Sequence, residues 1–137
     1  EIYTLSLHDA LPIYPVALSG KRCTLSGIDY SEDILASIDC LRALGADISM
    51  ERDTVTIDPI AFMQVDRPVL NCRESGSTLR FFIPLALCLG KPVTLRGSSR
   101  LMERPLDIYE ELCREQGFVF QKKEDEVLVC GNLTRKE

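Results

Sequence analysis

The chain has 137 residues and a formal net charge of −5; 45% of its residues are hydrophobic and 27% are charged. This is the size and composition of an ordinary globular domain, and the acidic balance argues against a general nucleic-acid binder, which carries a basic surplus. The longest apolar run, residues 81–89, is far shorter than the ~20 residues a bilayer-spanning helix needs, so no membrane span is expected.

Residues 1–13, EIYTLSLHDALPI, read like the in-frame translation of a sequencing adapter. They are expected to be foreign to the fold, and they lack the basic start and sustained apolar core of a signal peptide. His8 and Asp9 therefore carry no expected function, although they look like a catalytic pair.

From residue 14 onward the chain repeats itself. Gly20-Lys21-x-x-Thr24-Leu25-x-Gly27 returns 70 positions later as Gly90-Lys91-x-x-Thr94-Leu95-x-Gly97. Gly45…Val55-x-Ile57 returns 72 positions later as Gly117…Val127-x-Val129. A shared offset marks a duplicated structural unit. The fold class is accordingly α/β, with β-α-β-α-β-β units. One unit is truncated, over residues 14–58, and one is nearly complete, over residues 69–131.

In the first unit, residues 15–19 read as the tail of a helix and residues 22–27 as an alternating strand. Ser31 caps the next helix, with Glu32 and Asp33 at its positive end. Ile34, Leu35, Ile38, Leu41 and Leu44 form its apolar stripe, and Gly45 ends it. A hairpin follows, with Ile48 and Met50 before a charged turn and Val55 and Ile57 after it.

In the second unit, Val69 and Leu70 begin a strand. Residues 76–89 read as a helix apolar all round, hence buried, with Pro84 either kinking it or lying near its start. Residues 92–97 form the next strand. Pro105 suits the first turn of a second helix. Leu106, Ile108, Tyr109, Leu112 and Cys113 are its expected stripe, and Gly117 its stop. Phe118, Phe120, Val127 and Val129 build the closing hairpin.

The six cysteines are Cys23, Cys40, Cys72, Cys88, Cys113 and Cys130, with no C-x-x-C pair and a single histidine. No zinc site is expected. Cys40, Cys88, Cys113 and Cys130 lie in apolar patterns and read as free, buried thiols of a reducing compartment.

Charge is unevenly spread. Between Arg73 and Arg104 stand six bases and two acids, a local surplus that suits a small anion better than a long polyanion. Within it, CRESGSTLRFFIP runs into the apolar helix. A helix start offers unpaired N–H groups and partial positive charge. Glycine allows close approach to the backbone, and arginine supplies a planar fork for phosphate or carboxylate. Gly76, Ser77, Thr78 and Arg80 read either as an anion cradle or as an ordinary capped helix with Arg80 solvated. GSSRLMERPLD follows, with Arg100 and Arg104 either recognising an anion or pairing locally with Glu103, a contact worth under ~1 kcal/mol if exposed. Moved back by 70 positions, the motif at residues 73–80 falls inside residues 1–13.

LNCRESGSTLRFFIPLALCLG followed by VTLRGSSRLMERPLDIYEEL resembles the 5-enolpyruvylshikimate-3-phosphate synthase (3-phosphoshikimate 1-carboxyvinyltransferase) family, and GIDYSEDILASIDCLRALGADI resembles the segment preceding them there. The likeness covers essentially residues 15–137. It implies part of the N-terminal domain of a fold with two domains, each of three β-α-β-α-β-β units. It also implies transfer of the enolpyruvyl group of phosphoenolpyruvate to the 5-hydroxyl of shikimate 3-phosphate, with release of phosphate, in the cytoplasm. No cofactor, metal, nucleic acid or membrane is implied, and the full-length protein is expected to be a monomer. By motif, Gly76 presents its N–H to phosphoenolpyruvate and Arg100 binds its phosphate. Glu74, Ser77, Arg80 and Arg104 take supporting electrostatic roles.

No catalytic residue is expected within this fragment. The family's Lys-Ser…Arg motif matches the place of residues 1–13, and its Ser-Ser-Gln motif and general-base aspartate fall beyond residue 137. Two alternatives are the sister transferase acting on UDP-N-acetylglucosamine, which ESGSTLRF and RLMERP fit less well, and a non-catalytic anion-binding fragment.

Overall fold

The computed structural model describes residues 2–4, 21–58 and 64–132. The chain divides into two compact units, Glu1–Val65 and Asp66–Glu137. Each carries its own four-stranded sheet.

In the first unit, β1 (Ile2–Thr4) runs parallel to β2 (Cys23–Ser26); β2 pairs antiparallel with β4 (Thr54–Asp58), and β4 with β3 (Asp47–Glu51). Helix α1 (Glu32–Ala43) connects β2 to the β3–β4 hairpin. Ser31 caps it as expected, accepting a hydrogen bond from the Ile34 amide at 3.3 Å. The helix closes at Leu44, and Gly45 follows at φ 110°, a conformation that favours glycine. Arg42, in the last turn, donates to the Ile48 carbonyl on edge strand β3 at 2.6 Å. This satisfies a backbone acceptor that no neighbouring strand reaches.

Register puts Leu25 opposite Val55 and Cys23 opposite Ile57, so all four share one face of the sheet. They pack under Ile34, Ile38, Leu41 and Leu44 as a closed core. Each fully buried Leu, Ile or Val contributes about 1.5–3 kcal/mol. Met50 precedes the hairpin turn as expected and is exposed on edge strand β3. The expected helix tail at residues 15–19, together with His8 and Asp9, lies outside the described residues. Pairing of Ile2–Thr4 with β2 uses main-chain groups that any sequence carries, so it does not bear on the adapter-like character of that segment.

Tyr30 donates its hydroxyl to the Thr54 carbonyl at 3.3 Å. Burial, and to a lesser degree the Asp53 carboxylate, pushes its phenol above the usual value. A raised folded pKa contributes stability that is fully present below the unfolded value of about 10. That stability is lost as pH rises through the higher folded value. The first unit is thus expected to weaken in strongly alkaline solution. A wild-type minus Tyr30→Phe difference titration of tyrosinate absorbance checks this: Tyr30 should ionise later than a free tyrosine, and ionisation at or before the free value would contradict it.

The second unit repeats the plan. Strand β5 (Val69–Asn71) runs parallel to β6 (Val93–Arg96); β6 pairs antiparallel with β8 (Glu126–Cys130), and β8 with β7 (Val119–Lys122). Three helices complete it: α2 (Gly76–Leu87) between β5 and β6, then the short α3 (Ser99–Met102) and α4 (Asp107–Gln116) before the hairpin. The four-residue α3 is not foreseen from the sequence, because a single turn shows no periodicity. Gly117 ends α4 in the left-handed region at φ 73°.

Three expectations are corrected here. Helix α2 is not buried all round: Thr78, Leu79, Phe82, Ile83, Ala86 and Leu87 face the core, while Ser77, Arg80, Pro84 and Cys88 form an exposed stripe. Cys88 is therefore not a buried thiol and Cys130 is only half-buried, although Cys40 and Cys113 are buried. Ile108 does not join the buried stripe of α4 and is 79% exposed. At about 100° per residue it stands about 200° round the helix from Leu106, on the side opposite Cys113.

Pro84 lies inside α2 rather than at its start. Lacking an N–H, it leaves the Arg80 carbonyl without its i→i−4 donor. The Tyr109 hydroxyl donates to that carbonyl at 3.3 Å and replaces the missing bond. Tyr109→Phe should cost about 1 kcal/mol in chemical denaturation. In a Pro84→Ala background, which restores the amide, the same change should cost much less. Equal costs in both backgrounds would refute the replacement.

Candidate functional site

Because β5 and β6 are parallel neighbours, the loops that leave their C-terminal ends lie side by side. Crevices outside the carboxyl ends of parallel strands are where α/β folds bind ligands. Backbone hydrogen bonds join the two loops. The Cys72 amide donates to the Arg96 carbonyl at 2.7 Å, and the Ser98 amide donates to the Arg73 carbonyl at 2.8 Å. Arg73 holds a positive φ of 54°, and its amide donates to the Asn71 side-chain oxygen at 3.0 Å.

Each loop opens a serine-capped helix. Ser75 accepts from the Thr78 amide at 3.1 Å, and Ser98 from the Leu101 amide at 3.2 Å. At the start of α2 a Cβ on Gly76 would overlap Nη1 of Arg104, so the Arg104 guanidinium lies directly against the Gly76 backbone. Only a residue without a side chain permits that approach. A cation held against the positive end of a helix is unfavourable by itself. Among the described residues neither Arg104 nor Arg100 enters an ion pair, and Glu103 makes none with either. The local pairing weighed for Glu103 is thus not formed.

The other expected residues are distributed as follows. Arg100 is exposed on α3, four positions before Arg104. Ser77 is exposed, its hydroxyl 3.2 Å from that of Ser75. Thr78, counted in the sequence-based cradle, is fully buried, with its hydroxyl 2.6 Å from the Ser75 hydroxyl; it braces the cap and does not face solvent. Glu74 is exposed between Arg73 and Ser75. Arg80, one turn beyond Gly76, lines a hollow of about 390 Å³ with Pro105, Leu106, Asp107, Ile108 and Tyr109. Gly97, Asn71 and Leu101 also shape the site but were not singled out for it. The repeated Gly27 and Gly97 and the Asn-x-Arg spacing were the available signals.

A family model described as EPSP synthase (3-phosphoshikimate 1-carboxyvinyltransferase) matches residues 10–129. The chain belongs to the EPSP synthase family. The 3-phosphoshikimate 1-carboxyvinyltransferase of Clostridium kluyveri is 36% identical over 105 residues, which are 77% of this chain and 25% of that protein. The enzyme of the same name from Clostridioides difficile is 34% identical over 133 residues, covering 88% of this chain and 30% of that protein. The chain therefore spans about a quarter to three tenths of the length of these relatives. An EPSP synthase structure from Acinetobacter baumannii superposes with a TM-score of 0.73 at 19% identity, over 95% of this chain and 32% of that one. That likeness carries the fold, and with it the α/β class expected from the repeat. Among the described residues no helix is long and apolar enough to cross a membrane.

Proposed function

We propose that this chain supplies part of the phosphoenolpyruvate-facing surface of a cytoplasmic, monomeric enzyme that transfers the enolpyruvyl group to the 5-hydroxyl of shikimate 3-phosphate and releases phosphate. The observation that carries this reading is the Arg104 guanidinium seated on Gly76 at the start of α2. Arg100 stands on α3, the helix that the adjoining loop opens, and neither arginine has a counter-charge among the described residues. A multiply anionic ligand supplies the missing charge.

In this reading the Gly76 amide donates to the ligand and Arg100 grips the phosphate as a fork. Glu74, Ser77, Arg80 and Arg104 tune the field around it. The 5-hydroxyl adds across the double bond of phosphoenolpyruvate, its oxygen to the phosphate-bearing carbon and a proton to the methylene carbon. As the tetrahedral intermediate then loses a methyl proton and phosphate, negative charge grows on the leaving oxygens. Preorganised donors aimed at that charge lower the barrier. The chemistry needs no organic cofactor or metal. By the resemblance, the Lys-Ser…Arg motif is expected at the place of residues 1–13, and the Ser-Ser-Gln motif and the general base beyond residue 137.

The purified chain, given both substrates, should release no phosphate in steady state. A longer protein containing it should do so with shikimate 3-phosphate and not with UDP-N-acetylglucosamine. Turnover by the chain alone, or of the UDP-sugar by the longer protein, would overturn the reading.

A further inference from the structure

Arg73 occupies the left-handed region at φ 54°, a conformation that disfavours side chains other than Gly, Asn or Asp. Two hydrogen bonds use that strained turn. The Asn71 side-chain oxygen accepts the Arg73 amide at 3.0 Å, and the turned Arg73 carbonyl accepts the Ser98 amide at 2.8 Å. Ser98 is the cap of α3, the helix that bears Arg100. The same turn lets the Ser75 amide donate to the Cys72 carbonyl at 2.9 Å, fixing the residue that caps α2 and precedes Gly76. Gly97 leaves room for the carbonyl, since a Cβ there would lie 2.9 Å from the Arg73 oxygen.

We propose that Asn71 and Arg73 are positioning residues: their turn couples the two anion-facing loops, holding the Arg100 helix in register with Gly76. The proposal rests on the anion-site reading above and extends it to residues that act through hydrogen bonds within the turn. Asn71 acts through its side-chain acceptor. Arg73 acts through its backbone amide and carbonyl.

The test uses the 137-residue chain and two readouts, hydrogen exchange at the Ser98 amide and titration with inorganic phosphate. Asn71→Leu removes the acceptor, whereas Asn71→Asp keeps it. Arg73→Gly and Arg73→Val lose the same charge, but only glycine accepts the positive φ. Asn71→Leu and Arg73→Val should each speed Ser98 exchange about tenfold and weaken phosphate binding by a comparable factor, the scale of one lost hydrogen bond. Asn71→Asp and Arg73→Gly should retain Ser98 protection. Unchanged Ser98 exchange in Asn71→Leu, or equal loss in both Arg73 variants, overturns the coupling. If Asn71→Leu does not fold, the Arg73 pair decides alone. Exchange is read without ligand, so the two failures separate. A wild-type chain that protects Ser98 but binds no phosphate sinks the anion-site reading, while the exchange pattern still judges the coupling.

Discussion

Gly97→Ala is expected to destabilise the unit Asp66–Glu137 by about 1–3 kcal/mol, the range of overpacked cores and forced backbone shifts. The added Cβ would stand 2.7 Å from Leu101 Cδ2 and 2.9 Å from the Arg73 carbonyl oxygen. The second contact is with backbone already fixed by its bond to the Ser98 amide, so relief requires the two loops to part. Gly76→Ala makes the informative comparison. Its Cβ meets only the tip of the flexible Arg104 side chain and the more distant Leu101. It should cost little stability while covering the amide and displacing the guanidinium. Urea denaturation of both variants, followed by circular dichroism, checks the ranking. Equal stability losses would show that the loop-to-loop contact at Gly97 is not tight.

Arg100→Ala is expected to weaken binding of phosphoenolpyruvate about 10–100-fold, the worth of a charge-assisted bidentate contact. Arg100→Lys should recover only part of the loss, because an ammonium keeps the charge but not the planar fork. Arg104→Ala should lose less if it acts through the field around Gly76. Calorimetric titrations at two salt concentrations separate these roles. A loss in Arg100→Ala no larger than in a distant surface arginine such as Arg114, which already pairs with Glu110 at 3.6 Å, would remove Arg100 from the site.

Much of this architecture was legible because local chemistry and global fold agree. Ser31 and Gly117 mark helix ends by capping rules that depend on only a few neighbouring residues, and both act as expected. The duplicated glycines and the alternating Val55/Ile57 and Val127/Val129 pairs announced two sheets of one plan, and both have the same strand order. Ile108 is apolar and is counted in the expected stripe of α4, although its helical spacing from Leu106 and Cys113 already sets it on the outward side, where it is exposed. What stayed hidden depends on contacts distant in sequence or on single backbone angles. Pro84 fits inside a helix because Tyr109, 25 positions later, replaces its donor. The candidate site was readable as a cluster of arginine, glycine and serine. Its geometry was not all readable: Thr78 turns inward to brace a cap, and the Arg73 carbonyl accepts the Ser98 amide across the two loops, a bond that no motif encodes.

The central claim is that the loops after β5 and β6 form one phosphate-binding surface. Titration of the isotope-labelled chain with phosphoenolpyruvate, followed by amide chemical shifts, tests it most directly. The expected result is saturable shifts concentrated at Gly76, Ser77 and residues 98–101, abolished in Arg100→Ala. Shifts absent from these amides, or centred elsewhere on the chain and unchanged in Arg100→Ala, would contradict it.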